Sequence, residues 1–186
     1  MATQIAASRA GWHSGRRFLG LRRAPGRLAL WVFRLPLALY RRGWGWVFGR
    51  TFLMFVHVGR TTGRLHQAVA MVLGDDPLTR ELVICSAWGQ DAEWIRNLRA
   101  AAATEIRIGR DRFVATQRFL ADDEAVAAAH SFQQRHPYRL RLIGTILGWA
   151  DLSSDHAMRR FVRTHPFVAF RPADSEPWTS GMEIVR

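Results

Sequence analysis

The chain has no lysine, so all 27 of its basic residues are arginine. GC-rich codon usage alone produces such a bias, but codon usage does not explain where the charge sits. No carboxylate precedes Asp75: residues 1–74 hold 12 arginines and no Asp or Glu, while residues 75–186 hold 15 of each sign. The formal net charge of +12 therefore belongs to the first 74 residues. A field that lopsided attracts polyanions: phosphorylated cofactors, anionic lipid headgroups or nucleic acid. A merely solvated basic arm is the bland alternative. A single cysteine, Cys85, excludes a disulfide within the chain and a metal cluster built on cysteines. A reducing compartment is then the natural default, and Cys85, among apolar neighbours, reads as a small core residue. The longest apolar run, 28–40, is interrupted by Arg34 and Pro36 and is too short to cross a bilayer. Gly-x-Ser-x-Gly, a Walker loop and a metal-type histidine pair are all missing.

What remains is a globular composition, 48% hydrophobic and 23% charged over 186 residues, enough for one domain with a real core. Residues 1–26, rich in Arg, Ser and Ala, read as a flexible basic arm; their composition also suits a transit peptide. Residues 27–50 form an amphipathic segment. Trp31, Phe33, Leu35 and Leu39 make an apolar face, edged by Arg27, Arg34, Arg41 and Arg42. That segment suits either attachment to anionic lipid or packing on the domain.

From residue 51 the period changes. Aromatic and β-branched residues predict strands at 52–58, 67–73 and 81–86, with turns at 59–63 and 74–77. A helix is expected over 91–103. A hairpin of strands 104–108 and 113–119 turns at 109–111. Asp122 is the expected N-cap of a helix ending before His136-Pro137. Helices at 140–149 and 156–162 and a strand at 166–170 complete the domain, 51–172, and 173–186 is a tail. Short strands with interspersed helices indicate an α+β fold built on a small barrel.

Two stretches carry chemistry. Gly59-Arg60-Thr61-Thr62-Gly63-Arg64 lies between two strands. Its glycines permit a tight turn with converging N–H groups, and its hydroxyls and guanidinium groups add donors for a phosphate or carboxylate. Ser86-Ala87-Trp88-Gly89 ends a strand, and Trp94-Ile95-Arg96-Asn97-Leu98 follows it. A strand end, a glycine turn and a helix start make a natural ligand cleft, with Trp88 and Trp94 as walls and Asn97 as a polar contact. For both stretches the structural alternative stands beside the functional one: a solvated hairpin turn, and two core tryptophans.

Taken together and in order, Leu35-Pro36, Leu39-Tyr40-Arg41, Gly43, Gly45, the 59–64 turn, Trp88-Gly89, Trp94, Asn97-Leu98-Arg99, Ile108-Gly109 and the acidic helix start at Asp122–Glu124 resemble the nitroreductase-type deazaflavin-dependent oxidoreductases of actinobacteria. The resemblance spans about residues 35 to 150. It implies a split antiparallel β-barrel, similar to FMN-binding split barrels, that binds coenzyme F420, with FMN as the alternative. It implies that Arg60, Thr61, Thr62, Gly63, Arg64 and His66 hold the coenzyme phosphate. Ser86, Ala87, Trp88, Gly89, Trp94 and Asn97 then border the ring. Tyr138 and Ser86 are the candidate proton or hydrogen-bond donors. Family members often carry lysine where this chain has Thr61 and Ala87, which leaves Arg60, Arg64, His66 and Arg96 to offset coenzyme charge.

The reaction so implied is hydride transfer from a reduced deazaflavin to an electron-poor small molecule such as a quinone, enone or nitro compound. A non-catalytic barrel binding a lipid or other apolar ligand at a membrane surface is the second reading. An RNA-binding module is the third; its stacking platform is missing, because the aromatics of 52–58 read as core. The expected location is cytoplasmic, peripheral on the inner face of the plasma membrane. A homodimer is compatible with the sequence, and no nucleic-acid partner is expected.

Overall fold

The computed structural model describes residues 36–149 and 151–173. The basic arm, the first part of the amphipathic segment with Trp31, and the tail from residue 174 lie outside these. Among the described residues seven strands form one antiparallel sheet: β1 (Phe52–Val58), β2 (Leu65–Asp75), β3 (Leu82–Cys85), β4 (Glu105–Ile108), β5 (Asp111–Phe113), β6 (Ala115–Phe119) and β7 (Phe167–Pro172). Their order is β5-β4-β1-β2-β3-β7-β6. The two end strands, β5 and β6, are consecutive in the chain with only Val114 between them. The chain itself therefore joins the two open edges, and the sheet curls into a nearly closed split barrel. β2 serves both halves, with a register shift between Val72 and Gly74 where it bends from one to the other.

Among the described residues, besides helical turns at 36–41 and Gly45–Phe48, four longer helices flank the barrel: α1 (Glu93–Ala100), α2 (Asp122–Arg135), α3 (Pro137–Leu147) and α4 (Asp155–Thr164). Local chemistry sets their ends. Asp122, expected as the N-cap of α2, lies instead in its first turn. Ala121 occupies the cap, and Glu124 reaches back to accept its N–H at 3.2 Å. Three carboxylates in that turn complement the helix dipole. Pro137 opens α3, where a missing N–H costs nothing, and Gly148 closes it at φ +68°. Ser154 caps α4 by accepting the Ala157 N–H at 3.2 Å.

β1 is buried on both faces because it has a layer on each side. Leu53 and Phe55 point into the barrel with Ile84, Ile106, Val168 and Phe170. Met54 and Val56 pack outward against Tyr40, Leu37 and Phe48. The Tyr40 hydroxyl donates to the Phe52 carbonyl at 2.7 Å, and burial pushes its pKa up to about 12. A Cβ at Gly45 would lie 2.2 Å from the Tyr40 ring, so that position admits only glycine. The described part of the amphipathic segment is thus part of the fold. Trp44, Trp46 and Val47 nevertheless remain more than half exposed.

The expected hairpin of 104–108 with 113–119 is corrected. β4 pairs with β1 on one side and with only the short β5 on the other, and β6 pairs with β7, Phe119 opposite Val168. The break falls at Val114, where the strand leaves one half of the barrel for the other.

Candidate functional site

The hairpin β1–β2 ends at one rim of the barrel, and α1 lies across that rim. Between them is a cleft of about 320 Å³, inside the range of roughly 300–1,000 Å³ that ligand pockets occupy. Arg60, Thr61, Thr62 and His66 line it from the hairpin side, Trp88, Trp94 and Asn97 from the other. These seven were singled out in the sequence from two stretches 20 to 30 residues apart, and the fold brings them to one place.

α1 is held by its inner face. Ile95 and Leu98 are buried in the barrel core, and Trp94 packs edge-on against Phe55 with centroids 5.2 Å apart. That leaves Asn97 facing the hairpin, where it is a junction. Its Oδ1 accepts the Arg60 backbone N–H at 3.1 Å and the Arg60 guanidinium at 3.2 Å. Its amide nitrogen lies 3.1 Å from Nδ1 of His57. The Arg60 guanidinium also binds Glu93 at 2.6 Å and holds that carboxyl below its usual pKa range. Glu93 in turn lies 3.5 Å from Arg96, which binds Asp91 at 2.7 Å.

His57 was not singled out in the sequence. In Phe-Leu-Met-Phe-Val-His-Val it reads as one more core position, and it is only 4% exposed. The available signal was register: with Val58 opposite Leu65 at the mouth of the turn, His57 falls opposite His66. The two rings stack with centroids 5.7 Å apart. Burial, then the neighbouring His66, lower the His57 pKa to about 4, so the ring is neutral at physiological pH.

The 59–64 turn departs from one expectation: its N–H groups do not converge on a ligand. Gly59 N–H donates to the Arg64 carbonyl, and Thr62 and Gly63 N–H both donate to the Gly59 carbonyl. Arg64 N–H donates to the Thr62 hydroxyl and Arg60 N–H to Asn97. Gly63, at φ +65°, permits this tight closure. An anion here would be met by side chains. Arg60 is half neutralised by Glu93, and Arg64 makes no side-chain hydrogen bond or ion pair among the described residues.

Neither expected proton donor reaches the cleft. The Ser86 hydroxyl is fully buried and donates to the Gly89 carbonyl at 2.6 Å, so it holds the turn after β3 together. Tyr138 stands in the first turn of α3, 82% exposed, and lines neither this cleft nor the chamber behind it. Gly63, Arg64, Ser86 and Gly89 are likewise absent from the cleft lining.

Behind Trp88 and Trp94, which line both spaces, lies an apolar chamber enclosed by β2, α2, α4 and α3. Leu140, Ile143, Ile146 and Leu147 of α3 roof it, and Ala87 and Cys85 border it. Its volume is about 60 Å³. Trp149 ties the end of α3 across it by donating to the Ala87 carbonyl at 3.2 Å. Among the described residues no cluster of His, Cys, Asp or Glu is placed to hold a metal ion.

Fold and cleft define the class: a split β-barrel with a tryptophan-walled cleft at one rim. Solved structures similar to this chain include an F420-H2 dependent reductase (FDR-A), at 16% identity over 66% of this chain and 96% of that one, TM-score 0.45. A second, described as a domain-swapped dimer, has 12% identity, covers 73% and 99%, and has TM-score 0.45. A pyridoxamine 5'-phosphate oxidase-related, FMN-binding protein from Nostoc punctiforme has 16% identity, covers 81% and 82%, and has TM-score 0.38. No protein-family model and no curated protein matches the chain.

Proposed function

We propose that the cleft binds a deazaflavin coenzyme, coenzyme F420, and that the protein directs its hydride to an electron-poor acceptor. The observation that carries this reading is the meeting of Arg60, Trp88, Trp94 and Asn97 in one cleft of ligand size. The donor set suits a flat heterocycle with an anionic arm. Trp88 and Trp94 offer apolar walls, and His57, His66 and Asn97 offer a polar edge. The side chains of Arg60 and Arg64, with the Thr61 and Thr62 hydroxyls, sit at or beside the turn. The coenzyme supplies the hydride chemistry when bound. The chain's own residues orient the ring, keep water off its walls and neutralise negative charge at the turn. FMN shares the ring shape and the phosphate and is the alternative ligand.

Fluorescence titration with deazaflavin and, separately, FMN tests the reading. Arg60→Glu reverses a charge-assisted contact worth roughly 1.5–3 kcal/mol, so affinity should drop about tenfold or more. Unchanged affinity in that variant removes the phosphate from the turn.

The chamber favours a second reading, a non-catalytic protein that holds an apolar ligand. In that case neither coenzyme binds, while a long-chain fatty acid that displaces the α3 roof and widens the 60 Å³ chamber does.

A further inference from the structure

We propose that His57 is a neutral hydrogen-bond donor facing the cleft, its proton fixed on Nε2 by Asn97, and that it serves a carbonyl-type oxygen of the ligand. The identity of that ligand rests on the coenzyme reading above; the state of the ring does not.

The assignment follows from which atoms can donate. Arg60 offers only donors, a backbone N–H and a guanidinium, and both reach the same Asn97 atom, at 3.1 and 3.2 Å. Only an amide oxygen accepts both, so the orientation of the Asn97 amide is settled. The atom that faces His57 is then the NH2 group, which can only donate. At 3.1 Å from it, Nδ1 of His57 must accept. An imidazolium carries hydrogens on both nitrogens and has no acceptor to offer. The ring compatible with this contact is therefore neutral, with its hydrogen on Nε2. Surroundings agree: His57 is 4% exposed, and a second imidazole, His66, stacks on it at 5.7 Å and would repel a positive charge.

Nε2 has no side-chain partner among the described residues, the Val58 backbone being the other polar group beside the ring, and no buried side-chain nitrogen or oxygen among them lacks a partner. Nε2 therefore retains access to open space. His57 lines the cleft, so that space is the cleft. A nearly buried donor aimed at a ligand space is suited to an oxygen that gains negative charge as the ligand reacts. Because the donor is neutral, it adds no fixed charge that would draw inorganic anions to the ring walls. Glu93 completes the device at a distance: it holds Arg60, Arg60 fixes Asn97, and Asn97 fixes the proton. Glu93 and Arg60 are positioning residues in this chain of contacts.

The test uses the full chain with 15N-labelled histidine and long-range 1H–15N spectra near pH 7. His57 should show a protonated Nε2 and an unprotonated Nδ1. In Asn97→Asp an acceptor-only carboxylate replaces the donor beside Nδ1, and Nδ1 should become protonated, a change that mere loss of packing would not produce. Added deazaflavin should shift the Nε2–H resonance. His57→Phe should weaken deazaflavin binding about tenfold, with His57→Gln recovering to within about threefold of the parent. A protonated Nδ1 in the parent protein overturns the proposal, as does deazaflavin binding that leaves the Nε2 resonance unmoved. If deazaflavin does not bind at all, the coenzyme reading falls, while the spectrum of the free protein still decides the tautomer.

Discussion

α1 has eight residues and buries three of them, Ile95, Asn97 and Leu98, whereas α3 has eleven and buries none. Both helices border these two adjoining cavities, one beside the cleft and one over the chamber. α1 is fixed by an apolar face in the barrel core and by the Asn97 junction. α3 rests four half-covered side chains on an apolar space and is tied down at its end by Trp149. Length does not measure how firmly a helix is held. α1 supplies a site wall that stays in place, and α3 a roof that can yield.

The same substitution in the two helices puts that contrast to its hardest trial. Ile95→Ala removes a fully buried side chain and should cost about 3–4 kcal/mol, while Ile143→Ala should cost about 1 kcal/mol or less. Denaturant midpoints read both, and equal costs would mean that α3 is as firmly packed as α1. Next in size is Asn97→Leu. It strands the Arg60 N–H and His57 Nδ1, two groups at roughly 1–3 kcal/mol each before water reaches them, so a loss of about 2 kcal/mol is expected. The hydrogen-bonded side of the molecule would then be shown to depend on a single amide.

Much of the contrast was legible in the sequence. β1 was read with its observed bounds, and β2, β3 and β7 to within two residues, because aromatic and β-branched runs stood between glycine turns. The Val114 break was not legible. Residues 113–119 form an uninterrupted strand-like run, and only the pairing of β6 with a strand 50 residues further on splits it. Trp88, Trp94 and Asn97 were read from their order along the chain. His57 was not, because a histidine flanked by Val56 and Val58 has the local pattern of core. Ser86 and Tyr138 were read by residue type. The fold spends the Ser86 hydroxyl on the turn after β3 and leaves Tyr138 in solvent.

Acidification should act on one histidine in each region, buried His57 and half-buried His165. The folded-state pKa of His57 is lowered from 6.5 to about 4, and burial lowers that of His165 as well. The unfolded chain therefore binds more protons between pH 6.5 and 4. The stability associated with neutral His57 is fully present above 6.5 and is lost as pH falls through that window. Discounted for partial solvent access, His57 should account for a drop in Tm of about 4 °C across it. Replacing His57 with Asn should flatten the slope by that amount, and an unchanged slope would place its cause elsewhere.

The smallest effect expected concerns the outer surface. Trp44 and Trp46 are exposed beside Arg41 and Arg42, and no described helix is long and apolar enough to span a membrane. Co-sedimentation of the full chain with anionic vesicles should weaken with salt, each arginine near the surface contributing about 1 kcal/mol. Replacing both tryptophans with alanine should reduce binding by a few-fold. Indifference of the intact protein to such vesicles at low salt rules out that surface role.

The place of β7 between β3 and β6 has a consequence for the order in which this molecule can be made. On the ribosome, β3 ends 82 residues before β7 begins (167 − 85), and β6 ends 48 before it (167 − 119). Until residues 167–172 arrive to serve them together, β3 has one row of backbone groups unpaired and β6 has no strand partner. Unpaired edges of this kind recruit other chains. Full synthesis is then a condition of solubility as well as of shape. A chain stopped after α4 would carry the whole candidate cleft and still present two open edges.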